Sequence, residues 1–89
     1  MLFIISSSPD TQEFKTALTI AKDSDLCLIH DAVYLTMEEN APVTGKVYAL
    51  KDDLSLRGIT EPGLKGLKII DYLEMVDLID QAEKVVGVF

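Results

Sequence analysis

The sequence predicts one three-layer α/β/α domain, residues 1–89, built on a five-stranded and mainly parallel sheet. Three observations lead there. Five short apolar runs recur, "LFII" (2–5), "LCLI" (26–29), "VYAL" (47–50), "LKII" (67–70) and "KVVGVF" (84–89). The segments between them carry helical spacing or helix start signals, and strict β-α alternation is the order that builds parallel sheets through right-handed crossovers. The chain of 89 residues, 48% apolar and 26% charged, is long enough for one core, and its composition favours folding over disorder.

The elements follow in order. The first three runs are nearly continuous rather than alternating, the pattern of strands covered on both faces. In "SPDTQEFKTALTIAK", Phe14, Ala17, Leu18 and Ala21 share one helical face. Either Ser8 before Pro9, or Asp10 with Glu13, supplies its start signal. In "DAVYLTMEEN", Asp31 suits an N-cap, Val33, Tyr34 and Met37 form the apolar side, and Asn40 and Pro42 end the segment. "DDLSLRG" makes one or two turns that close on Gly58 as a C′ residue. "DYLEMVDLID" opens with Asp71 and Glu74 in capping-box spacing and directs Tyr72, Met75, Val76 and Ile79 inward. The turn-rich "TEPGLKG" (60–66) is the expected mobile loop. The direction of the last strand is left open by its short connection.

Composition excludes several function classes. The net charge is −7, and the eight Lys and Arg residues are scattered with no two adjacent. Phosphate-backbone binding needs clustered cations, so direct nucleic-acid binding is not expected. The one cysteine cannot form an internal disulfide. The apolar start, residues 1–5, has no basic leader and is too short for a signal peptide or membrane span. A cytoplasmic protein without membrane attachment follows as the expectation. A domain this small buries only about 60% of its unfolded surface. With a mean hydropathy of +0.24, its apolar residues point to cover by other subunits, with a well-filled monomeric core as the alternative.

The sole cysteine and sole histidine stand three residues apart in "DSDLCLIHDAVY" (23–34). On a strand such neighbours point to opposite faces, so Cys27 and His30 are not expected to form a dyad. Cys27 among Leu26, Leu28 and Ile29 reads as a buried, inert thiol. His30 and Asp31 end their strand at the carboxyl edge, where open α/β sheets bind ligands. Ser6, Ser7 and Ser8 end the first strand and Lys51 the third, and these six residues are the ligand-edge candidates. Anion capture by the serines competes with plain helix capping, and there is no glycine fingerprint for a dinucleotide. Asp52 and Asp53 are explained more simply by helix initiation than by a divalent cation. No metal and no cofactor is expected. The acidic residues of a phosphorylation receiver are absent after strand one, and no nucleophile–base pair marks a hydrolase.

Five stretches resemble the DsrH/TusB family across nearly the whole chain. "KVYALKDDLSLRGI" (46–59) is similar to its strand, helix and "ARG" turn, and "IIDYLEMVDLI" (69–79) to its "DY..FVDL" segment. "MLFIISSSP" is similar to "MLH...SP" with Phe3 for histidine, "LIHDAVY" to "DGVY" with Ala32 for glycine, and "KVVGVF" to "KVVSW". The resemblance implies a DsrEFH-like fold and a hetero-oligomer with DsrE/TusD-like and DsrF/TusC-like sister subunits. These complexes relay persulfide sulfur, serving tRNA wobble-uridine 2-thiolation or sulfur oxidation, and the carrier cysteine belongs mainly to the DsrE/TusD-type sister. Some family members carry a cysteine in the first helix. Ala17 falls about there in this chain, and that role does not transfer to Cys27.

The reading reached from sequence is an accessory, non-catalytic sulfur-relay subunit with no catalytic residue of its own. Two alternatives accompany it: a direct persulfide carrier through Cys27, and a stand-alone homo-oligomeric module that binds a small anion.

Overall fold

A computed structural model describes residues 1–88. Five strands, β1 (Leu2–Ile5), β2 (Asp25–Leu28), β3 (Val47–Leu50), β4 (Leu67–Ile70) and β5 (Val85–Val88), form one sheet in the order β4-β3-β2-β1-β5. Every adjacent pair is parallel. This includes β5, whose direction the sequence left open. Residue 89, the last of the fifth apolar run, lies outside the described residues.

The strand order explains the layers. The chain steps from β1 to β4 in one direction, so right-handed crossovers place three connecting segments on one face. These are α1 (Gln12–Ile20), a 3-10 segment (His30–Met37) and α2 (Lys51–Leu56). The last connection runs back across the whole sheet to β5, which places α3 (Tyr72–Gln81) on the opposite face. Two cores result. Phe3, Ile5, Leu26, Leu28, Val47 and Ala49 pack with Phe14, Val33 and Leu54 under the three-segment layer. Leu2, Ile4, Cys27, Tyr48 and Ile70 pack with Met75, joined by Leu78 and Ala82, under α3.

Local chemistry sets the element ends. Thr11 caps α1: its hydroxyl accepts the Phe14 N–H at 3.2 Å and donates to the Ser8 carbonyl at 2.7 Å. The cap is therefore neither Ser8 nor Asp10. The expected capping box on α3 is present, with Asp71 Oδ1 accepting the Glu74 N–H at 2.8 Å and Glu74 Oε1 accepting the Asp71 N–H at 3.2 Å. Gly58 lies at φ 69° just past α2. The Gly58 N–H reaches the Ser55 carbonyl and the Ile59 N–H reaches the Leu54 carbonyl, a Schellman closure that buries Ile59 beside Leu54.

Three expectations need correction. The second connection is a 3-10 segment rather than an α-helix. With three residues per turn, positions 32 and 35 stack, as do 33 and 36, and these are the buried ones. The third column, Asp31, Tyr34 and Met37, is exposed, although a 3.6-residue reading turns Tyr34 and Met37 inward. On α3 only Met75 of the expected inward stripe is buried, while Tyr72, Val76 and Ile79 are exposed. The apolar arc of α3 is wider than the strip the sheet covers, and the sheet takes the side of Met75, Leu78 and Ala82. The loop 60–66 is tied down: the Gly63 and Leu64 N–H groups donate to the Thr36 carbonyl at 2.8 and 3.0 Å, and Leu64 is buried.

At the amino edge of the sheet, Gly45 fits where no side chain fits. A Cβ there would land on the Ser24 carbonyl and within 2.9 Å of Asp25 Oδ1. The same carboxylate accepts the Lys46 N–H at 2.9 Å, so β3 enters the sheet pressed against the start of β2.

Candidate functional site

Because all five strands are parallel, their carboxyl ends share one edge, and four loops meet the solvent there. Ser6 continues β1 by donating its N–H to the Val88 carbonyl at 3.0 Å, and the Ile29 N–H reaches the Ile5 carbonyl at 3.0 Å. The edge is thus laced by backbone bonds before any side chain contributes.

The polar centre of this edge forms between the 3-10 segment and α2. His30 has φ 49°, the only positive φ among the described non-glycine residues. That conformation turns its N–H toward α2, where Asp53 Oδ2 accepts it at 2.9 Å. Asp53 is only 7% exposed. Its other oxygen lies 3.5 Å from Arg57 Nη1, an i,i+4 pair on one helix face. Arg57 extends the network: Nη1 donates to the Asp53 carbonyl at 3.2 Å, and Nε and Nη2 reach Asp31 Oδ1 at 3.0 and 2.9 Å. One guanidinium therefore spans two loops, which its planar fork suits and a lysine ammonium does not. A buried carboxylate is tolerable only when it is paired and hydrogen-bonded, as Asp53 is.

The predicted edge residues separate in this geometry. His30, through its backbone, and Asp31 join the network. Asp31 is not the N-cap expected of it: Ile29 occupies that position without a side-chain bond, and the Asp31 carboxylate turns to Arg57. Ser6, Ser7 and Ser8 are half-buried behind β1, and among the described residues no side-chain hydrogen bond joins them to His30 or Asp31. Lys51 is the exposed first residue of α2 and lines a shallow depression with Ile59, Thr60 and Ile69, apart from the network. The residues missed from sequence are Arg57 and, in its bridging role, Asp53. Their i,i+4 spacing was the available signal.

Cys27 lies on the other face of the sheet, fully buried between β1, β3 and α3. Its register neighbours are Ile4 and Tyr48. Burial alone pushes its thiol up to about 11, which leaves it protonated at neutral pH. His30 is exposed, so thiol and imidazole do not share an open cleft. Among the described residues no cluster of three or more His, Cys, Asp and Glu is gathered to hold a metal ion. No helix among them is long and apolar enough to cross a membrane. The edge is thus a set of locked loops presenting one exposed imidazole, with Arg57 already neutralised by carboxylates.

Comparison with known proteins agrees with this architecture. A family model described as "DsrH like protein" matches residues 6–85. Protein TusB of Shigella flexneri is 37% identical over 87 residues, covering 88% of this chain and 90% of that protein. Protein TusB of Escherichia coli K12 is 36% identical with the same coverage. Among solved structures, protein Tm0979 of Thermotoga maritima superposes with a TM-score of 0.71 at 31% identity, over 94% of this chain and 97% of that one. The ychN protein of E. coli shares the fold with a TM-score of 0.73 at 22% identity, over 97% of both chains. With its sheet, its loops and most of its length accounted for in this way, the chain belongs to the DsrH family, the sulfur-relay subunit family that includes the TusB proteins.

Proposed function

We propose that this chain is an accessory, non-catalytic subunit of a cytoplasmic sulfur-relay complex, of the kind serving tRNA wobble-uridine 2-thiolation or sulfur oxidation. Its partners are DsrE/TusD-like and DsrF/TusC-like subunits, and it shapes the assembly while a partner carries the persulfide. The single observation that carries this reading is the state of Cys27. It is the only sulfur nucleophile in the chain, it is 0% exposed, and its thiol is held protonated by burial. Sulfur transfer requires a thiolate that an incoming persulfide can reach. About where some family members carry a first-helix cysteine stands Ala17, which is buried and carries no nucleophile.

The test is reconstitution with a persulfide donor, followed by intact mass of each subunit. This chain is expected to gain no sulfur while folded, the partner to gain one, and Cys27→Ala to leave relay by the complex unchanged. A gain of one sulfur on this chain that Cys27→Ser abolishes would overturn the reading in favour of a direct carrier. Recovery of the native protein without any DsrE- or DsrF-type partner would remove the complex itself.

A further inference from the structure

α3 carries two apolar faces and the sheet uses one. Met75, Leu78 and Ala82 point into the core. Glu74, Asp77 and Gln81 form the flank toward β3 and β4, where they border a groove with Tyr48 and Lys68. The remaining flank, toward β1 and β5, presents Tyr72, Val76 and Ile79, with Leu73 beside them. Tyr72 is 61% exposed, Leu73 74% and Val76 43%. A stripe of large apolar side chains two turns long on a helix surface marks an interaction surface.

Charge decides what covers it. α3 contains Glu74, Asp77 and Asp80 and no basic residue, and Asp71 caps its start. Asp80 lies within the stripe's arc, between Val76 and Leu73 around the helix. The whole chain has a net charge of −7, and Lys68, the strand lysine beside α3, belongs to the opposite flank. A second copy packed on this stripe would set carboxylate against carboxylate, which disfavours self-pairing. A different chain that offers an apolar strip bordered by Lys or Arg satisfies both the stripe and its acidic edge.

We infer that the Tyr72–Val76–Ile79 face of α3 is the docking surface for a heterologous subunit with an apolar, basic-bordered contact strip. The inference rests on the accessory-subunit reading and specifies the surface that reading requires.

The experiment uses the complex isolated from its host through a tag on this chain, with the bound chain identified by mass. Amide exchange is compared over residues 72–80 in the free and bound protein. Protection concentrated there is expected, together with about tenfold or greater loss of affinity in Val76→Glu and in Asp80→Lys, and weaker binding as NaCl rises. Asp80 is exposed, so Asp80→Lys keeps the test clear of folding defects, and melting curves check Val76→Glu. Unchanged exchange on α3 in an intact complex would overturn the proposal, as would self-association of the free chain that Asp80→Lys strengthens, or isolation only as a monomer. If α3 is protected by a chain that carries no persulfide cysteine, the docking surface stands and the sulfur-relay reading falls.

Discussion

The Asp53 carboxylate accepts the backbone N–H of His30 at 2.9 Å, across 23 residues of chain. This bond joins the loop after β2 to the helix after β3, and it fixes His30 in a left-handed conformation that only one described non-glycine residue adopts. Asp53→Ala removes the acceptor and leaves Arg57 Nη1 facing only a backbone carbonyl. A loss of about 2–3 kcal/mol in urea unfolding is expected. Asp53→Asn keeps an acceptor for His30 and should lose about 1 kcal/mol.

His30 itself should tolerate glycine better than valine. His30→Val places a β-branched side chain at positive φ and is expected to cost about 1–2 kcal/mol. His30→Gly relieves the left-handed conformation but frees the unfolded chain, so its net effect should stay within about 0.5 kcal/mol. Thermal melts of the two variants side by side check the ordering.

Glycine-to-alanine exchange should separate two kinds of constraint. At Gly58 a Cβ meets nothing within 4 Å, so only the φ of 69° opposes it, at a cost of about 1 kcal/mol. At Gly45 the obstacle is the Ser24 backbone, which cannot swing aside as a side chain can. Gly45→Ala should lose about 1–3 kcal/mol and disturb the start of β3, visible as faster amide exchange at Lys46, whose N–H bonds Asp25.

The Cys27 thiol predicts an alkaline limit to stability. Its pKa rises from 9.0 to about 11 on folding. Below pH 9 both folded and unfolded chains keep the proton and nothing is lost. As pH rises from 9 to 11 the unfolded chain releases it first, so the unfolded state gains and stability falls, by about 2–3 kcal/mol at the upper end. Cys27→Ala should flatten this part of the pH–stability curve. Thiol-specific reagents at pH 8 should label the wild type only at its rate of opening.

The sheet was legible because its strands are short apolar runs between helix signals, and all five begin within a residue of those runs. The capping box of α3 and the Gly58 closure of α2 were legible because each is a local bargain between residues three or four apart. The inward face of α3 was not legible. Tyr72, Val76 and Ile79 satisfy helical spacing as well as Met75, Leu78 and Ala82 do, and only the single-sided cover of the sheet distinguishes them. Nor was the 3-10 winding of 30–37, since its backbone carries no proline or glycine to announce the change of period. At the carboxyl edge, the candidates Ser6, Ser7, Ser8, His30, Asp31 and Lys51 were placed by topology alone. The i,i+4 spacing of Asp53 and Arg57 is visible in the sequence, but the link from Asp53 to the other loop depends on His30 turning its N–H across the gap, which residue spacing does not encode.

The return of the chain from β4 to β5 has a kinetic consequence. β1 is the first strand to be synthesised, yet its outer neighbour is the last: Leu2 pairs with Val85 and Ile4 with Gly87. During translation a β1–β4 intermediate can assemble in chain order while one rim of β1 waits unpaired. Closing that rim requires a long-range loop closure whose entropy is met only when the final strand arrives, a feature that slows folding and leaves a sticky ribbon edge in the meantime. Refolding should therefore show its slowest phase in the amides shared by β1 and β5, and its yield should fall with protein concentration before those of the other strand pairs register any loss.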